Sequence, residues 1–111
     1  MTNQEIDEYL AVEVMKYPPG DTESLGGIIL KQRFDNFHPT ENLNQAFMVV
    51  DKMRELGFKQ FTLNYNPYLN SHKGAYSVYL AKSVNVMGTA YSADPAEAIS
   101  RAAVAAHKPG I

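Results

Sequence analysis

Phe58-Lys59-Gln60-Phe61-Thr62-Leu63-Asn64-Tyr65 is the stretch on which the reading of this chain turns. Phe61, Leu63 and Tyr65 point one way, and Gln60, Thr62 and Asn64 point the other. A period of two marks a strand with one buried face. Residues 75–81 repeat the pattern, with Tyr76, Val78 and Leu80 opposed to Ser77 and Tyr79. Tyr76 and Tyr79 thus fall on opposite faces, and the exposed one is an interface candidate. Lys82-Ser83 reads as a turn, and residues 84–91 read as a third strand with Val84, Val86 and Gly88 on one face. Gly88 marks a bulge or a point of close packing. Strands joined by short loops pair antiparallel.

Helical patterns flank these strands. Thr2-Asn3-Gln4-Glu5 reads as a capping box. Ile6, Leu10 and Val14 follow at four-residue spacing, while Asp7, Glu8 and Ala11 lie off that stripe, so a first helix is expected over 2–17. Pro18-Pro19-Gly20 stops it. Residues 20–27 read as a mobile, polar, glycine-bounded loop, and Ile28-Ile29-Leu30 with Arg33-Phe34 read as a short strand. Thr40 is the expected cap of a second helix carrying Leu43, Ala46, Phe47, Val50 and Met53, closed by Gly57. Asp94-Pro95-Ala96-Glu97 opens a third, whose stripe is Ile99, Ala102, Ala103 and Ala106. The expectation is an α+β fold with about three helices and a small, mainly antiparallel sheet.

Composition narrows the function classes. The 111 residues suit a single domain spanning 1–111. A net charge of -2 and a pI near 5.9 argue against a nucleic-acid coat, which needs a basic surplus. No cysteine is present, which removes disulfides, thiolate metal sites and thiol catalysis. No signal-peptide core or apolar membrane-length run is found, so a cytoplasmic protein without a membrane partner is expected. Dimerisation would help so small a core.

Several segments together resemble a known family. They are Val14-Met15-Lys16-Tyr17, Phe37-His38-Pro39-Thr40, residues 46–53 (AFMVVDKM) and residues 93–103 (ADPAEAISRAA). This pattern resembles the phage ABA sandwich domain, found in small proteins of Bacillus phages and prophages. The resemblance implies a helix–sheet–helix sandwich and a phage gene, and it carries no catalytic residues across. Tyr17 and Phe47 stand where tryptophan is common in that family, and Ser100 where cysteine is common.

The candidate binding residues are Arg33, His38, Tyr65, Asn66, Tyr68, His72 and Lys73. In the 65–74 loop, tyrosines can stack on a base, Asn66 can read polar edges and Lys73 can meet a phosphate. Plain turn chemistry explains the same Asn, Pro, Ser and Gly residues. Arg33 can clamp a phosphate or carboxylate beside His38. The competing reading is a solvated arginine and a histidine that serves the second helix. His38, His72 and His107 have no metal-ligand spacing, and no nucleophile elbow or phosphate loop is found, so neither a metal, a cofactor nor catalysis is expected.

The resulting expectation is a non-catalytic phage or prophage accessory protein. It would bind a small anionic, nucleotide-like ligand as a countermeasure to host defence, in a site shared between subunits. The alternative is a protein-interaction module that inhibits or redirects a host protein. A small nuclease or phosphodiesterase ranks third, since the catalytic groups cannot be assembled from these residues.

Overall fold

The computed structural model describes residues 1–20, 22–66 and 74–108. Tyr68, His72 and Lys73 therefore lie outside the described residues. The elements are α1 (Asn3–Tyr9), a π-helical continuation (Leu10–Val14), α2 (Leu25–Asp35), α3 (Leu43–Glu55), β1 (Gln60–Tyr65), β2 (Tyr76–Ser83), β3 (Val86–Ser92) and α4 (Pro95–His107). The fold is α+β, with helices packed on a three-stranded antiparallel sheet of order β1-β2-β3.

Register explains the alternation. Phe61, Leu80 and Gly88 form one cross-strand row, and Leu63, Val78 and Ala90 form the next. This face meets α4 and, through Phe47 against Phe61 and Ala46 near Val78, α3. The opposite rows, Thr62–Tyr79–Thr89 and Asn64–Ser77–Tyr91, are exposed or half-buried. The hairpin turn falls later than the sequence suggested. Ser83 pairs with Val86, its Oγ accepts the Asn85 N–H, and Val84 is 81% exposed at the tip. The third strand therefore starts at Val86.

Helix α4 follows its sequence signals. Asp94 Oδ1 accepts from Ala96 N–H at 2.8 Å, and Pro95 opens the first turn. Ile99, Ala102, Ala103 and Ala106 are fully buried. Their small size lets the helix backbone reach the sheet at Gly88. A Cβ there would lie 2.3 Å from the Ala102 carbonyl oxygen and 2.4 Å from the Ala106 nitrogen. Ser100 is also fully buried, and its hydroxyl has no hydrogen-bond partner among the described residues.

Three local expectations are corrected. Residues 25–35 are helix, not loop and strand. Ser24 Oγ accepts the Gly27 N–H at 2.9 Å, and Lys31 pairs with Asp35 at 2.6 Å one turn on, so capping and i,i+4 pairing outweigh the strand preference of Ile28-Ile29. Helix α3 is capped by Asn42, whose Oδ1 accepts the Gln45 N–H, because Thr40 is buried on Asp7. Its core face is Ala46, Val49 and Met53, while Leu43 and Phe47 are partly exposed. Finally, Asp7 and Ala11 are buried beside Ile6, Leu10 and Val14. The π-helical turn after Tyr9 widens the helix and changes which side chains share its inner face.

Candidate functional site

The structure separates the described candidate residues. Arg33 is exposed near the end of α2, and its guanidinium carbon stands 4.4 Å above the Tyr17 ring. His38 lies between α2 and α3, where its backbone N–H donates to Gln45 Oε1 at 2.6 Å and its Nδ1 is 3.5 Å from Asp7 Oδ2. Its backbone N–H thus serves the second helix, while its side chain is 53% exposed. Tyr65 ends β1 at 61% exposure, with its ring 4.9 Å from that of Tyr76. Asn66 donates its backbone N–H to the Ala75 carbonyl and closes the base of the loop.

His38 borders a cleft of about 470 Å³ between α1 and α2, also lined by Asp7, Glu8, Phe34, Asp35 and Glu41. Asp7 is its fixed point. Its two carboxylate oxygens accept from the Thr40 N–H and the Thr40 hydroxyl, each at 3.0 Å. Four carboxylates around one concavity attract cations and repel phosphates. Neither Tyr65 nor Asn66 lines this cleft.

A second concavity has the opposite character. A groove of about 670 Å³ opens where the β2–β3 hairpin meets the C-terminal ends of α3 and α4. Leu56, Phe58, Val86 and Ala106 supply apolar walls, and Lys82, Ser83 and His107 supply polar groups. The Lys82 stem crosses Gly57, where an added Cβ would lie 3.1 Å from Lys82 Cε, and its ammonium is 5.9 Å from the Phe58 ring centre. Gly57 itself holds a left-handed φ of 103°, as its position after α3 requires. Lys82 has no carboxylate partner among the described residues.

His107 is positioned from the far end of the chain. Tyr9 Oη and His107 Nδ1 are 2.7 Å apart, and the rings meet edge to face. Burial keeps the Tyr9 phenol protonated to higher pH, with Glu13 adding to that effect. Burial also lowers the His107 pKa, and the nearby Lys16 ammonium lowers it further, against Glu13. One hydrogen bond joins Tyr9 Oη to His107 Nδ1, which leaves Nε2 as the ring nitrogen for a further partner. Sequence reasoning had set His107 aside as a lone histidine and had placed Lys82 in a turn. No local signal joins them, since Tyr9 and His107 are 98 residues apart.

No protein-family model, curated protein or solved structure matches this chain.

A separate polar network ties the chain's two ends together. Glu97 accepts from Asn3 Nδ2 at 2.9 Å and Ser92 Oγ at 3.0 Å, and it pairs with Arg101. The Asn3 hydrogen bond, then Ser92 and Arg101, hold its carboxyl below the usual value against the effect of partial burial. Both this group and His107 have depressed pKa values in the fold. Each binds its proton more readily in the unfolded chain, so each contributes stability that is present at high pH and lost in acid. Stability should therefore fall as pH drops below 6.5 through the His107 pKa, and fall again below 4.5 through that of Glu97. Urea titrations from pH 8 to pH 4 check this. His107→Gln should flatten the upper segment alone, and an unchanged profile in that variant would refute the assignment.

Proposed function

We propose that this chain is a non-catalytic binding domain for a small anionic ligand with an apolar or planar body, held in the groove of Lys82, Ser83 and His107. The observation that carries the reading is one concavity with an ammonium and an imidazole at its edge and Phe58 among its apolar walls. Charge-assisted donors beside apolar surface suit a phosphate or carboxylate attached to a ring. Nucleotide-like molecules belong to that class. The resemblance to phage proteins supports placing the activity among host-defence countermeasures. Arg33, over the Tyr17 ring, and His38, beside Asp7, do not line this groove.

Calorimetric titration with a panel of mono-, di- and cyclic nucleotides and inorganic phosphate tests the proposal. Binding should weaken roughly 10- to 100-fold in Lys82→Glu, the range for losing a charged hydrogen bond. It should tighten as pH falls through the His107 pKa, since an anion favours the imidazolium. Absence of saturable binding across the panel, or equal binding by Lys82→Glu, would overturn it.

The second reading, a module acting on a host protein, is favoured by the open face of the sheet. Thr62, Asn64, Ser77, Tyr79, Thr89 and Tyr91 make an uncharged polar and aromatic surface there, of a composition common in protein-binding faces.

A further inference from the structure

Lys16 holds a φ of 59°, and among the described residues no other non-glycine has a left-handed backbone. The chain turns there to close the first helix. Met15 N–H donates to the Leu10 carbonyl and Tyr17 N–H to the Ala11 carbonyl, each at 2.8 Å. Glycine is the usual residue at such a closing position, because a Cβ is crowded there. The corresponding position after α3 is indeed Gly57. A lysine therefore costs the first helix some stability, and strain kept at one residue points to a use for its side chain.

The surroundings of the ammonium supply that use. Lys16 is exposed and has no carboxylate partner among the described residues. Its charge opposes protonation of the His107 imidazole, by more than Glu13 favours it. Tyr9 Oη already occupies Nδ1 of that ring, and Lys82 lines the same groove as His107. The two ammonium groups come from different segments, and a single phosphate held at Lys82 leaves the Lys16 charge unanswered.

We infer, building on the anion reading of the groove, that Lys16 receives a second anionic group, so that the ligand is a diphosphate ester of the nucleoside diphosphate class. The ring lies against Phe58, Leu56 and Val86, and the first phosphate meets Lys82 and Ser83. The second phosphate extends past His107 to Lys16. Such a ligand brings negative charge to both ammonium groups, whereas a monophosphate satisfies one.

Calorimetric titration at pH 8 with the pairs AMP/ADP, GMP/GDP, CMP/CDP and UMP/UDP, without divalent cations, tests this. At that pH the imidazole is neutral whether or not Lys16 is present, since burial alone already lowers its pKa from 6.5. At least one diphosphate should bind roughly tenfold tighter than its monophosphate, the low end for one charged hydrogen bond. Lys16→Gly should remove most of that gap while raising the melting temperature, because glycine relieves the left-handed strain. Lys31→Gln changes net charge equally on α2, which does not line the groove, and should leave the gap intact. A lysine kept only to complement the helix dipole would leave the gap intact in Lys16→Gly. That result, a lower melting temperature in Lys16→Gly, or an equal narrowing by Lys31→Gln would overturn the inference. Equal binding of mono- and diphosphates would overturn it and leave the anion groove standing, while no binding by any nucleotide would remove both.

Discussion

Asp7→Ala should cost about 3 kcal/mol of folding stability, because it strands two buried donors at once. The Thr40 N–H and hydroxyl both point at this carboxylate, and Asp7 and Thr40 are 7% and 2% exposed. Their desolvation has already been incurred, and alanine returns nothing for it. The nearby His38 adds little to the loss, since its side chain is 53% exposed and solvent screens the 3.5 Å pair. Thr40→Val removes the hydroxyl bond alone and should cost about half as much. The double variant should cost less than the sum, because each residue is the other's partner. Urea denaturation of the four proteins measures all these terms. A loss below about 1 kcal/mol for Asp7→Ala would show that water replaces the carboxylate. The same contact anchors α1 to the segment before α3, so the cleft around His38 should lose its shape with it.

Gly88→Ala should be comparably severe, at about 3 kcal/mol or more, for a steric reason. The new methyl group would enter the backbone of α4 at Ala102 and Ala106, at distances no side-chain rotation can relieve. Helix α4 must then lift from the sheet, which opens space beneath Ile99, Ala102 and Ala103. Gly26→Ala is the matched control. Its Cβ meets open space within α2, and removing a glycine from a helix should raise stability by about 0.5–1 kcal/mol. Thermal melts of the two variants should thus move in opposite directions. Equal and small shifts would mean that the α4 contact yields easily.

The sheet and α4 were legible because their signals are local. Alternation in residues 60–65 and 76–81 reports which side chains share a face, whatever covers it later. Asp94, Pro95 and the small stripe encode both the start and the packing distance of α4 within one segment.

Residues 25–35 were misread because the signals there conflict. Ile28-Ile29 favours a strand, yet Ser24 and the Lys31–Asp35 pair favour a helix, and the stripe is exposed where a buried one was sought. Asp7 was misread because its partner, Thr40, lies 33 residues away and no local pattern joins them, while Ala11 was misread because the π-helical segment changes the wheel from Leu10 onward. The groove was invisible for a different reason. Lys82, His107 and Tyr9 come from three separated segments, and their chemistry depends on burial and neighbouring charge.

Periodicity and capping act over a few residues, so the chain alone dictates its strand faces, the starts of α1 and α4, and the α+β class. Desolvation acts between segments that meet only after folding. The tertiary structure therefore decided that Asp7 is buried on Thr40, that burial and then Lys16 lower the His107 pKa, and that the groove is basic while the His38 cleft is acidic.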